Sequence, residues 1–91
     1  MSDTVTLDAK LDLSAAAQLA TMLKENKSNE VVLDFEKVTH LGALCVQVFL
    51  AAAKTAAAED RTISIVNVSD RVIDQLRVMG LTPETIARGP Q

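Results

Sequence analysis

The sequence predicts an α/β domain, with a mixed β-sheet of four to five strands packed against three to four α-helices in two layers. Three observations carry this prediction. Short apolar runs of strand periodicity alternate with longer segments of helical periodicity, which is the pattern of crossover-connected strands. The chain has 91 residues, enough for one core and too few for two, so residues 1–91 form a single domain with its core at about 4–86. Apolar residues make up 48% of the chain and aromatic ones only 2%, so aliphatic packing must supply the stability.

Thr4-Val5-Thr6-Leu7 alternates polar and apolar, as a half-buried strand does, and Ala9-Lys10-Leu11 continues as a short second strand after a turn at Asp8. Asp12 or Ser14 caps a helix from Ser14 to about Glu25, with Ala16, Leu19, Ala20 and Leu23 on its apolar face. Glu30 to Phe35 is nearly continuous in apolar residues and suits a central strand covered on both faces. After a turn at Glu36-Lys37, a second helix spans about Ala43 to Ala58. Its apolar stripe is predicted along Leu44, Val48, Ala51 or Ala52 and Thr55, with Cys45 and Phe49 beside it. Thr62 to Val66 is a further alternating strand. Ser69 caps a third helix from Asp70 to Met79, and Gly80 ends it as a left-handed residue with Leu81 folding back on Leu76. Leu81 to Ala87 is expected to form a last short strand or turn, and residues 88–91 a frayed tail. The first strand pair is expected to be antiparallel and the later strands parallel, with right-handed crossovers.

Composition excludes several classes of function. The net charge of -3 and the scattering of the nine Lys and Arg residues argue against a phosphate-backbone footprint. Met1-Ser2-Asp3-Thr4 lacks the basic flank and apolar run of a signal peptide, and the apolar run from Leu41 to Ala53 is too short to span a bilayer. A lone cysteine cannot form an internal disulfide and fits a reducing compartment. Together these lead to the expectation of a cytoplasmic protein without nucleic-acid or membrane partners.

The stretch from Val38 to Leu50 holds the residues that most invite a functional reading. Cys45 falls in the first turn of the second helix, where the dipole lowers a thiol pKa, and His40 lies just upstream as a conceivable base. Its apolar neighbours favour a buried, structural thiol instead. One histidine and one cysteine without paired spacing do not make a zinc site. Asp12, Asp34 and Glu36 sit at predicted caps and turns, and no pair of them forms a catalytic dyad. Gly42 alone does not build a phosphate cradle. Neither a catalytic residue, a metal ligand nor a cofactor is therefore expected. What remains is a loop entering a helix, with Thr39, His40 and Gln47 around the small Gly42 and Ala43. Those small residues either let a partner's backbone approach or simply let the loop fit.

The ordered set Val31-Val32-Leu33-Asp34-Phe35, Val38, and the helix entry from Leu41 to Leu50 resembles the STAS domain, the fold of bacterial anti-sigma factor antagonists. Asp12-Leu13-Ser14 resembles that family's entry to its first helix. Ile63 to Ser69 resembles its penultimate strand and following cap, and Val78-Met79-Gly80-Leu81 its helix ending. The family's loop before the second long helix usually reads Asp-Ser-Ser-Gly, and its first serine is phosphorylated by a partner that is both kinase and anti-sigma factor. Gly42, Ala43, Leu44 and Cys45 fall on those positions, so the acceptor serine is replaced by Ala43. Without a hydroxyl the usual switch cannot operate there, and Thr39 does not align as an acceptor.

The form Leu-Gly-Ala-Leu-Cys-Val-Gln-Val-Phe-Leu-Ala-Ala is also similar to small STAS proteins encoded with bacterial chemotaxis components. The resemblance implies a non-enzymatic regulator that binds a signalling protein. That partner is an anti-sigma factor or serine kinase of this kind, or a chemotaxis histidine kinase. Thr39, His40, Gly42, Ala43 and Gln47 are the expected contacts, with Leu44, Cys45 and Phe49 supporting them from beneath. The alternative is a STAS module that binds a small ligand or nucleotide, for which the sequence offers Thr39, Lys37 and Lys54 as donors.

Overall fold

The computed structural model describes residues 2–88; of the tail expected at 88–91, Arg88 ends a helix instead and residues 89–91 lie outside the described ones. Five strands and four helices follow one another as β1 (Ser2–Thr6), β2 (Lys10–Leu11), α1 (Leu13–Glu25), β3 (Glu30–Asp34), β4 (His40–Leu41), α2 (Ala43–Ala58), β5 (Thr62–Val66), α3 (Asp70–Val78) and α4 (Pro83–Arg88). β3 is the middle strand of a three-stranded sheet in the order β1-β3-β5, with Val5 beside Leu33 and Leu33 beside Ile65. Since side chains alternate across a strand, Val5, Val31, Leu33, Ile63 and Ile65 share one face and pack into the core. The opposite face carries Thr4, Thr6, Val32, Asp34 and Ser64, all exposed or half-buried. β3 is thus central as expected but covered on one face rather than both, which makes the domain two-layered.

The strand pairing corrects one expectation. The first two strands do not form an antiparallel pair: every pairing among the described residues is parallel, and β2 leaves the main sheet to pair with β4. A hairpin would need a reversing turn, and Asp8-Ala9 lacks the glycine that such two-residue turns favour. The chain instead steps sideways and continues, with the Ala9 carbonyl accepting from the Thr39 and His40 N–H groups.

α2 begins and ends where the periodicity places it, but the helix is rotated from the expected stripe. Its buried residues are Cys45, Val46, Phe49, Ala53 and Ala56, while Leu44 and Thr55 are exposed. An alanine-rich helix is apolar around most of its circumference, so periodicity alone defines its inward face poorly. Phe49 meets Phe35 at 5.5 Å between ring centroids, tilted by 47°, which anchors α2 to the end of β3. Asp34 accepts from the Glu36 N–H at 2.9 Å and from Asn67 Nδ2 at 3.1 Å, the turn-forming role read for it from the sequence.

α3 ends as a Schellman motif. The Leu81 N–H donates to the Leu76 carbonyl and the Gly80 N–H to that of Arg77, both at 2.9 Å, with Gly80 at φ 77°. The segment after it is not a strand or turn but the helix α4. Thr82 caps it through Oγ1 to the Thr85 N–H at 3.1 Å, and Pro83 takes the first helical position, where no N–H is needed. Ile86 is fully buried in the core. Ile86→Ala should therefore cost about 2–5 kcal/mol in chemical denaturation, as for other buried aliphatic truncations. A loss below about 0.5 kcal/mol, the range of surface substitutions, would show that α4 is not seated in the core.

Candidate functional site

The two-stranded β2–β4 sheet places two helix starts side by side. Lys10 pairs with His40 and Leu11 with Leu41, so the next residues along each chain, Asp12 and Gly42, are the caps of neighbouring helices. The Gly42 N–H donates to the Leu11 carbonyl at 2.8 Å, and the Cys45 thiol donates to the Asp12 carbonyl at 3.3 Å. Both bonds require close approach. A Cβ on Gly42 would stand 3.1 Å from the Leu11 oxygen, tighter than ordinary contact. A side chain there would oblige the Leu11 carbonyl to give way by a few tenths of an ångström, so glycine is the residue that fits the loop without adjustment.

The two caps differ chemically. Asp12 Oδ1 accepts from the Ser14 hydroxyl at 2.7 Å and from the Ser14 and Ala15 N–H groups at 3.1 and 3.3 Å. The Ser14 hydroxyl, followed by these backbone donors, holds the Asp12 carboxyl below its ordinary range. Gly42 offers α2 no side-chain acceptor. Beyond the caps, α3 supports β4 from 34 residues away: Gln75 Oε1 accepts from the Leu41 N–H at 2.8 Å, and Gln75 Nε2 donates to the Thr39 carbonyl at 3.4 Å. One amide side chain thus imitates a neighbouring strand.

Four of the residues singled out in the sequence, Thr39, His40, Ala43 and Gln47, are exposed, and Gly42 is half-buried between them. Thr39 also donates from Oγ1 to the Ala9 carbonyl at 3.2 Å, so its hydroxyl is engaged with the backbone. Of the residues expected beneath them, Cys45 and Phe49 are buried, but Leu44 is 42% exposed and belongs to the surface. Sequence reasoning missed Leu13, which is 76% exposed at the first position of α1. The signal was present: Leu13 lies roughly 90° around the helix from the Ala16, Leu19 and Leu23 stripe, so it cannot point with them. It also missed Gln75, whose partners are distant in sequence. The neighbouring helix starts thus carry the exposed Leu13, Ala43 and Leu44, with Thr39, His40 and Gln47 exposed close to them along the chain.

Cys45 is not available as a nucleophile in this arrangement. Burial pushes its thiol pKa up, and the nearby Asp12 carboxylate adds to the rise. A buried, protonated thiol outweighs its favourable place in the first helical turn. Among the described residues, no three of His, Cys, Asp and Glu converge as metal ligands, and no helix is long and apolar enough to cross a membrane.

A family model described as "Mlab, STAS domain" matches residues 1–85. The chain belongs to the STAS domain family. The fold agrees with that of a sulfate transporter family protein from Wolinella succinogenes, known from a crystal structure. The two superpose with a TM-score of 0.75 at 15% identity, over 87% of this STAS domain and 66% of that chain. This STAS domain therefore spans slightly less than two thirds of that neighbour's length. At such identity the likeness speaks for the fold alone. No curated protein matches the chain.

Two predictions follow from the caps. Asp12, Asp34 and Glu59 all titrate below their ordinary values in the folded STAS domain. A carboxyl depressed by folding contributes stability that is complete above its unfolded pKa and is lost as pH falls through its folded one. The thermal midpoint should accordingly fall as pH drops below about 5. Asp12→Asn keeps an acceptor at the cap and should make that fall shallower; an unchanged acid profile would remove Asp12 from the account. Cys45 should react with a thiol reagent at the rate of unfolding rather than as an open thiol, so fast native-state labelling would contradict its burial.

Proposed function

We propose that this STAS domain is a non-enzymatic interaction module that regulates bacterial signal transduction in the cytoplasm, in the manner of an anti-sigma factor antagonist. Its partner is a signalling protein: an anti-sigma factor or serine kinase of that kind, or a chemotaxis histidine kinase. The observation that supports this most is the exposure of Ala43 at the first position of α2, where the family places its phosphorylated serine. Leu44 follows it on the same helix and Leu13 opens the neighbouring one, two large apolar side chains left in solvent, with Thr39, His40 and Gln47 exposed close by in the chain. Apolar anchors within a polar rim are the composition of a protein-binding surface.

The missing hydroxyl removes the family's switch from this position. A phosphate there would bring a charge of about -1.5 to -2 into an apolar contact. Alanine cannot take it up, so binding is not switched by phosphorylation at this position. The absence of a carboxylate dyad among the candidate residues and the raised Cys45 thiol favour recognition over catalysis.

Ala43→Glu places a fixed negative charge at a helix start that tolerates it, so folding should be preserved. It should weaken partner binding about tenfold or more by putting charge into the contact. Affinity capture from the source cell with the wild-type domain, followed by titration of the captured protein against both forms, measures this. Equal affinity would remove the loop from the interface. The small-ligand reading has one observation in its favour, a groove between α1 and α2, but Thr39, Lys37 and Lys54 do not line it.

A further inference from the structure

The groove lies toward the C-terminal ends of α1 and α2, away from the helix starts proposed as the docking surface; it is partly open to solvent and has a volume of about 490 Å³. That volume falls within the range of small-molecule sites, about 300–1,000 Å³. Its origin is steric: Ala20 on α1 faces Ala51 and Ala52 on α2, and such short side chains leave the space between the helices unfilled. Leu23, Val31, Val48 and Ile63 form the apolar walls and floor, with Val31 and Ile63 contributed by the sheet. From Val48 to Glu59 the trough follows α2 for about 16 Å, given the rise of a helix.

Charge is confined to one end. Lys24, Lys27, Glu59 and Arg61 line the groove there, where α1 and α2 finish. Arg61 is committed: it pairs with Glu59 through Nε and Nη2 and donates from Nη1 to the Asn26 carbonyl at 2.9 Å. Glu59 is thereby neutralised, and the Arg61 hydrogen bonds hold its carboxyl below the usual range, with Lys27 contributing. Lys24 and Lys27 make no ion pair within hydrogen-bonding reach among the described residues. In a chain of net charge -3, an aliphatic trough ending in two ammonium groups without a direct ion pair among the described residues, Lys27 also acting on Glu59 through space, is complementary to an aliphatic tail with an anionic head.

We propose that this groove binds a free single-chain aliphatic carboxylate of about a dozen carbons, its tail along Val48 and Ile63 and its head at Lys24 and Lys27. A nucleotide fits less well, because the lining has no aromatic side chain on which a base could stack. The site is separate from the docking surface and does not depend on it.

Dodecanoate, kept below its micelle concentration, is the probe. Added to the wild-type chain, it should raise the thermal midpoint and shift the methyl resonances of Ala52, Val48 and Ile63 while leaving Leu13 and Leu44 unmoved. Lys24→Glu combined with Lys27→Glu alters only exposed side chains, and should weaken dodecanoate about tenfold without changing the shape of the unfolding transition. Dodecyltrimethylammonium should bind the wild type more weakly than dodecanoate does. The proposal is overturned if dodecanoate leaves the groove methyls unshifted, if the charge-reversed variant binds equally well, or if ADP or phospholipid vesicles shift those methyls and dodecanoate does not.

Discussion

The pairing of β2 with β4 is the constraint on which the rest of this domain depends. Two residues from each strand suffice, because the bonds around them continue the ladder: Ala9 with Thr39 and His40, Leu11 with Gly42, and Asp12 with Cys45. Together they tie the start of α1 to the start of α2. The absence of a side chain at Gly42 allows the Leu11 carbonyl to approach, and the small Cys45 thiol fills the space behind it. Gln75 then closes the free edge of β4 with one donor and one acceptor. A larger residue at either position would crowd the Leu11 carbonyl or the buried site of the thiol and oblige its neighbours to shift.

That arrangement divides α2 into two chemically different ends. At its start, small and apolar residues stand in solvent without a side-chain cap, the surface proposed to meet another protein. At its finish, the same alanine content opens a trough against α1 whose far end is cationic. Alanine serves both ends for one reason, since a short side chain neither blocks approach from outside nor fills a helix–helix seam. The sheet beneath is parallel yet covered on one face, which is uncommon for parallel strands. Its outer face is tolerable in water because Thr4, Thr6, Asp34 and Ser64 supply polar groups there.

Much of this was legible in the sequence, and the failures have physical causes. The limits of α2 and β5, the α1 cap as Asp12 or Ser14, the Ser69 cap and the Gly80 ending were readable because each depends on neighbours within a few residues. The parallel β2–β4 pair was not, since it joins residues 30 apart and replaces a hairpin that local pattern suggests. α4 was read as a short strand or turn because it has only six residues, too short for helical periodicity to register, although Thr82-Pro83 carries the start signal. The inward face of α2 was misjudged by about one residue's rotation, which moved Leu44 from support to surface. Of the candidate site, the loop residues were found and the contributions of Leu13 and Gln75 were not; the first was overlooked on the helix wheel, and the second acts only through the tertiary fold.

The central claim is that the paired helix starts, and not the open face of the sheet, receive the signalling partner. Site-specific photo-crosslinking in the source cell tests it most directly, with the crosslinker placed in turn at Ala43, at Leu13 and at Ser64 on the outer sheet face. The account predicts the same partner adduct from Ala43 and Leu13 and none from Ser64. An adduct from Ser64 with none from Ala43 or Leu13 would contradict it.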